Sequence, residues 1–458
     1  MGFSSDNIGV EGADLDAAFG DYIGALSPAM GGYCVREAGL HDYCTGLLLD
    51  VSRKSVEPIA AQIAPEHVSA KHQSLLHFVG QSQWCGNRLL AAVCAQVLPK
   101  VESREKICAW IIDDTGFVKK GVHSVGVGRQ YCGQVGKKEN CQIAVSLSVA
   151  THDFSLPVAF QLYLPKDWAE DDDRRTKAGV PETIEFLTKP RIALQQLRNA
   201  KEQGISPGVV LADPAYGADT QFRTEITKMG LEYAVGVRSD VSIWPSGTSF
   251  AVPANYRGQG RPSKILKPVE EAWSGEPATG KKKKAVCPLS VKQFAQGLEP
   301  HDWHTITWRE GSNTALTSRF ARARIMIAHQ HHKQKQPRPP EWLLIEWPEG
   351  EDAPTKYWLS SLSEQTGLKE LVDTVKLRWR IERDYLELKQ EVGLNHYEGR
   401  SWRGFHHHVS LCIAAYGFLI CQQAAISPSG PTKAQIIKQF ALSKVPQKPT
   451  TTRKRAKA

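Results

Sequence analysis

Two short apolar runs, each closed by aspartate, limit the fold more than any other feature of the chain. Residues 107–112 lead into Asp113-Asp114-Thr115-Gly116, and Val209-Val210-Leu211-Ala212 leads into Asp213-Pro214. Continuous apolar runs of this length suit strands buried on both faces, which implies a parallel sheet covered by helices. Such sheets gather their chemistry at the carboxyl edge, where loops converge. Asp114 and Asp213 are therefore candidates, although Asp-Thr-Gly and Asp-Pro also form ordinary turns and caps. Residues 233–237 predict a further buried strand. Residues 141–150 and 156–164, joined by Thr151-His152-Asp153, predict an antiparallel hairpin, and a helix is expected over about 181–203.

With 458 residues the chain exceeds one compact core, so several structural units are expected. Residues 1–105 read as a helical N-terminal domain, with helical segments at 43–51 and 56–63, a candidate for DNA binding in which no recognition helix stands out and Arg53 and Lys54 are the best phosphate candidates. Residues 106–238 hold the first part of an α/β core. Residues 239–360 change to short Trp-containing strands with Gly and Pro turns, a β-rich insertion carrying the Lys281 to Lys284 run and the basic segment 329–340. Residues 361–425 return to helices, including an apolar one over 409–421. Residues 426–458 are a basic tail, and its end, with Arg453, Lys454, Arg455 and Lys457, is expected to be disordered.

Lys and Arg outnumber Asp and Glu by 57 to 48, a formal charge of +9 that favours a polyanionic partner without proving one. The ten cysteines form no C-x-x-C pair and read as reduced thiols. The first thirty residues are acidic where a signal peptide is basic, and no stretch is apolar enough to be expected in a membrane. A soluble, cytoplasmic chain with no membrane partner is the expectation.

The residues around Glu382 supply the third carboxylate. Arg378, Glu382, Tyr385 and Lys389 lie at offsets of four, seven and eleven, which return to one face of a helix at 3.6 residues per turn. A solvated face with i,i+4 ion pairs would look the same, but Leu377, Ile381, Leu388 and Val392 suggest a helix packed against the body of the protein. Two strand-end Asp and a helix Glu, with cations beside them, form the inventory for phosphoryl transfer with two metals, because hard divalent cations prefer oxygen ligands.

At these residues the chain resembles the DDE transposases of bacterial insertion sequences, in the branch with a β-rich insertion before the Glu and a Y-x2-R-x3-E-x6-K signature. Arg378-x3-Glu382-x6-Lys389 fits that spacing, while Val375 stands at the Tyr position. Residues 111–117, Val127-Gly128-Arg129-Gln130-Tyr131 and Arg403-Gly404-Phe405-His406-His407-His408 are similar to insertion-sequence family 701. The resemblance implies an α/β, ribonuclease-H-like core interrupted by the insertion. It implies a catalytic and metal-binding triad of Asp114, Asp213 and Glu382, with magnesium as cofactor and manganese able to substitute. It also implies DNA contacts by Arg378, Lys389, Tyr385 and Trp379, the last by stacking.

The expected partners are the terminal inverted repeats and target DNA, both double-stranded, and a bacterial, nucleoid-associated location follows. Cutting two ends calls for a dimer in the active complex. Asp113 rivals Asp114, since neighbouring strand residues face opposite sides and only one can serve. A catalytically inactive DNA-binding derivative and a nuclease without strand transfer are the competing functions.

Other features read more plainly. Three consecutive histidines on a helix diverge by about 100° each, so His406, His407 and His408 cannot hold one zinc ion. Gly126-x-Gly128 does not complete a dinucleotide loop. Trp303, Trp308, Trp342 and Trp347 are expected in strand cores rather than on nucleic acid.

Overall fold

The computed structural model describes residues 12–245, 247–251, 266–268, 287–309, 316–329, 336–425 and 431–444. The Lys281 to Lys284 run, His331, His332, Lys333, Lys335 and the end of the tail lie outside the described residues. The chain divides into two compact units, residues 1–106, 114–187 and 382–458 in the first, residues 107–113 and 188–381 in the second. Elements are numbered in chain order.

The first unit begins with five helices, α1 (Gly12–Leu26), α2 (Cys34–Leu48), α3 (Val56–Ile63), α4 (Val68–Gly80) and α5 (Gly86–Glu102). They surround α14 (Trp402–Ala425), whose side chains are buried along almost its whole length and which packs on α2, α4 and α5. By length and composition α14 could cross a membrane, but 83% of its apolar window is buried inside the protein, as befits a core helix. Phe19 of α1 meets Phe418 of α14 and Phe440 of α15 (Lys433–Ser443) with ring centroids 5.1 and 5.0 Å apart. That last helix falls in the stretch read from the sequence only as a basic tail. Thr432 and Gln435 close a capping box at its start, and Ile436, Ile437 and Phe440 bury its apolar side. The unit's strands are the later half of β1 (Ala109–Val118), β2 (Gly128–Cys132), β3 (Lys137–Ala150) and β4 (Ser155–Leu162), with β3 between β1 and β2 and β4 antiparallel to β3 as a hairpin. Two short helices, α6 (Lys166–Ala169) and α7 (Asp172–Ala178), follow.

The second unit is a mixed sheet with helices. Its parallel part is β1, β5 (Val209–Ala212) and β6 (Tyr233–Val237), in the order β6-β5-β1. The helices α8 (Lys189–Glu202), α9 (Pro214–Gly217) and α10 (Thr220–Lys228) accompany these strands. Beyond β6 the sheet continues antiparallel through β14 (Lys356–Ser360), β13 (Glu341–Pro348), β12 (Leu316–Ile327), β7 (Ser242–Pro245) and β10 (Leu289–Ser290), with β11 (His304–Arg309) on β12. A separate pair, β8 (Phe250–Ala251) with β9 (Lys267–Pro268), and α11 (Val291–Gln296) complete the stretch before α12 (Leu368–Lys376) and the start of α13 (Trp379–Gln390).

Three elements differ from the sequence reading. β1 does not end at Ile112. Its parallel pairing with β5 ends there, at Ile112 opposite Ala212, but the strand runs on through both aspartates to Val118. Gly116 is a strand residue: a Cβ there would stand 2.3 Å from Cys132 Sγ, so the glycine keeps the sheet face closed. The helix expected from residue 181 starts at Lys189, with Pro at its first turn, where the missing N–H costs nothing. The helical stretch around Arg378 is two helices, not one. At Leu377 and Arg378 the chain tightens, Arg378 N–H reaching only Val375 O at 3.4 Å, before α13 begins at Trp379.

The turn after β5 depends on two glycines. A Cβ on Gly217 would lie 2.0 Å from Gly236 O of β6, and one on Gly236 would lie 2.9 Å from Pro214 Cδ. The close approach presses the Asp213-Pro214 turn onto β6. Gly217→Ala is expected to destabilise the second unit by about 1–3 kcal/mol, as overpacking against backbone does, measured by urea unfolding beside the wild type.

Candidate active site

Each predicted site residue occupies a defined place. In the second unit Asp213 follows β5 and is the N-cap of α9, its Oδ1 accepting the N–H groups of Ala215 at 2.9 Å and Tyr216 at 3.3 Å. The capping reading of Asp-Pro is thus realised, a role usually worth about 1 kcal/mol, and the cap fixes the carboxylate's direction. Arg378 lies in the joint between α12 and α13, its Nη1 2.7 Å from Asp113 Oδ2. Since Asp213 directly follows Ala212, and Asp113 directly follows Ile112, the register partner of Ala212, one strand edge of the second unit carries both of these aspartates.

In the first unit Asp114 lies half-buried on β1 and Glu382 is exposed in the first turn of α13. The helix is tied to the strands by side chains expected on DNA. Lys389 is 9% exposed, and its ammonium donates to Gly116 O of β1 at 2.8 Å and to Gln134 Oε1 at 3.0 Å. Tyr385 is 8% exposed, with its hydroxyl 2.7 Å from Ser146 Oγ of β3. The four residues expected on one helical face therefore divide. Arg378 stands outside α13, Glu382 is exposed, and Tyr385 and Lys389 turn inward, because burying α13 against the sheet takes that side of it out of solvent. Trp379 lies half-buried with the Arg380 guanidinium 4.7 Å above its ring.

The opposite side of α13 holds a polar network that the sequence did not announce. Asp384 is fully buried, accepting from Ser155 Oγ at 2.5 Å and from the Tyr416 hydroxyl at 3.0 Å. The same hydroxyl lies 2.7 Å from Glu387 Oε2, which is also 2.7 Å from Lys433 Nζ at the start of α15. Burial pushes the Asp384 carboxyl up to about 6, against the pull of Lys433, Ser155 and Tyr416. Glu387 is held low by Lys433, Tyr416 and Arg383, which together outweigh its own burial.

The histidines are structural. His406 Nε2 meets Leu162 N–H at 3.3 Å, His407 lies against the carbonyls of Val79 and Trp84, and His408 Nδ1 meets the Tyr43 hydroxyl at 2.9 Å. The three rings point to different neighbours and share no ion. Trp303 and Trp347 meet edge to face at 5.3 Å, with the Arg319 guanidinium 3.8 Å from the Trp347 ring.

The carboxylates of Asp114 and Glu382 in the first unit and of Asp213 in the second offer the hard oxygen atoms that divalent cations prefer. Among the described residues no three His, Cys, Asp or Glu side chains are gathered into a metal-binding group.

Burial lowers the Lys389 ammonium from about 10.5 to about 8, and does the same to Lys54, which donates to Leu47 O and Glu391 O. A lysine whose folded value is depressed holds its proton less firmly in the native state than in the unfolded chain. Its penalty is then complete below about pH 8 and relieved as pH rises toward 10.5. This titration by itself adds stability over that window, while buried thiols such as Cys44 and Cys94, pushed up by burial, act in the opposite sense, so Lys389→Met is expected to fall behind the wild type by about 1–3 kcal/mol as pH rises. Urea unfolding at pH 7.5 and pH 10 checks this; equal pH slopes in both proteins would refute it.

Comparison with known proteins adds the family. The model of the DDE superfamily endonucleases matches residues 34–315, a span that contains Asp114 and Asp213 and stops before Glu382. A probable transposase for insertion sequence element IS701 from Microchaete diplosiphon is 30% identical over 203 residues, 44% of this chain and 49% of the relative. The match spans about half the length of that curated relative. Enzymes of the superfamily generally use divalent metals. With more than half of its length matched by the family model, and with aspartates closing a parallel strand pair, the chain belongs to the DDE superfamily endonucleases.

Proposed function

We propose that the protein is a transposase that cleaves the ends of an insertion sequence and joins the freed 3′ hydroxyls to target DNA. Catalysis occurs in a ribonuclease-H-like core interrupted by a β-rich insertion over residues 239–360, with residues 1–105 binding terminal-repeat DNA and two protomers acting on two ends. The reaction takes place in the bacterial cytoplasm at the nucleoid. The observation that carries this reading is the parallel β1–β5 pair, which ends at Ile112 and Ala212 and is followed on both strands by aspartate.

Asp114, Asp213 and Glu382 act as the carboxylate ligands. Magnesium, or manganese in its place, would supply activation of the attacking oxygen and charge neutralisation at the leaving one. The chain's own residues set the geometry. The α9 cap holds the Asp213 carboxylate in one rotamer, and the bonds from Lys389 and Tyr385 hold α13, hence Glu382, against β1 and β3. Those two residues thus serve the reaction by positioning. Arg378 engages Asp113, which supports Asp114 as the ligand, and its planar fork has donors enough to hold a phosphate alongside that carboxylate. Trp379 offers a ring on which a base can stack.

Glu382→Gln and Asp114→Asn are expected to lower magnesium-dependent cleavage of terminal-repeat DNA by at least ~1000-fold while leaving its binding intact. Asp113→Asn, which weakens the grip on Arg378, is expected to cost about tenfold. Labelled repeat DNA incubated with magnesium reports both. Cleavage by Glu382→Gln at the wild-type rate would sink the proposal, cleaved ends that are never joined would reduce it to a nuclease, and a greater loss in Asp113→Asn than in Asp114→Asn would exchange the two residues.

A further inference from the structure

The second unit contains a cavity of about 840 Å³ that none of this chemistry uses. It is walled by α10, by Tyr233 and by the segment 336–341 that leads into β13. Tyr233 opens β6 and pairs with Val210 near the start of β5, whereas Asp213 follows the end of β5, so the cavity belongs to the amino end of this strand pair.

Its lining is rich in cations. Arg223, Lys228 and Arg338 line the cavity with one carboxylate, Glu341, on which Arg223 and Arg338 act directly. Arg223 is only 4% exposed and is pinned by its bonds to Gly217 O and Thr220 Oγ1. Lys228 pairs with Glu225 at 2.8 Å. Arg338 reaches His329 O at 3.4 Å with one terminal nitrogen, while its Nε is buried and makes no hydrogen bond. Glu341 Oε2 is likewise buried without a hydrogen bond. Burial pushes the Glu341 carboxyl up despite Arg223, Tyr233, Arg338 and Arg324 around it.

A buried guanidinium nitrogen with no acceptor, among cations that outnumber the carboxylate, is the environment a strong oxyanion satisfies. Guanidinium groups match phosphate oxygens best, in pairs of parallel hydrogen bonds. The hydroxyls of Thr224 and Thr227 donate backward to Thr220 O and Arg223 O, so the arginines rather than the threonines would do the recognising. Pro337, Pro339 and Pro340 wall the opening with apolar surface that has no N–H to compete. The volume exceeds what one phosphate fills and lies within the usual range for a site taking a nucleotide-sized ligand.

We propose that this cavity is a phosphate site held by Arg223 and Arg338, apart from the carboxylates, which takes a phosphate together with the nucleoside attached to it. That this phosphate belongs to a DNA strand rests on the function proposed above, whereas recognition of the phosphate does not.

The test follows the thermal midpoint of the full chain during titration with inorganic phosphate, against chloride at equal ionic strength, and in parallel its affinity for a DNA duplex at several salt concentrations. The variants are Arg338→Ala and Arg338→Lys. Phosphate stabilises many proteins without a site, so the readout is a saturable rise in midpoint that weakens about tenfold in Arg338→Ala and is partly restored by lysine. Duplex affinity should fall about three- to tenfold in Arg338→Ala, with the salt slope reduced by about one. A phosphate effect without a DNA effect identifies a small phosphate-bearing ligand as the occupant and overturns the DNA source. Identical midpoints and DNA affinities in all three proteins overturn the site. Loss of cleavage reading in the Glu382→Gln experiment leaves both arms interpretable, since neither depends on strand cleavage.

Discussion

Helix α13 is fixed in place by polar groups it has to bury, and the candidate chemistry of the first unit depends on that. On one side Lys389 spends its ammonium on the backbone of β1 and on Gln134, and Tyr385 spends its hydroxyl on Ser146 of β3. On the other, Asp384 and Glu387 share the Tyr416 hydroxyl, with Lys433 of α15 as counter-charge. Each group would cost several kcal/mol if buried alone, so the helix is stable in one rotation and one axial position. Glu382 projects from a helix that cannot easily turn.

The second unit meets the same demand with backbone. The α9 turn touches β6 where both chains are glycine, and the Asp213 carboxylate satisfies the first amides of the turn it starts. The long antiparallel extension beyond β6 then buries its own charged pair. Glu346, 1% exposed, accepts from Lys376 at 2.7 Å through both oxygens, and the ammonium also lies 4.4 Å from the Trp308 ring. Trp308 is thereby tied to α12 by a cation. The Lys376 contacts hold α12, and with it the joint where Arg378 leaves the helix to meet Asp113.

Much of this was legible in the sequence wherever apolar pattern alone decides. The runs at 209–212 and 233–237 are strands at those bounds, Val56–Ile63 is a helix, and the hairpin over residues 141–164 forms with a modest shift of its ends. The pattern was less informative where neighbours decide. Gly116 resembled a turn residue because a strand glycine required by a cysteine across the sheet leaves no local sign. Residues 377–378 carry no Gly or Pro, so nothing in the spacing marks the break that takes Arg378 out of line with Glu382. The helix Lys433–Ser443 was hidden by its polar flanks, although Thr432 and Gln435 at the spacing of a capping box were there to be read.

The sequence by itself determined which residues are available: three carboxylates in order along the chain, two of them after apolar strands, and the cations near the third. Those facts are local, because strand burial and helix periodicity are written in consecutive residues. Only the tertiary structure decided what each does. Lys389 and Tyr385 became anchors of α13, Arg378 became the partner of Asp113, and Asp384, an unremarked residue of the same helix, became the most deeply buried acid described around α13. The reason is that the worth of a charge is set by the groups that replace its water, and those groups come from distant parts of the chain.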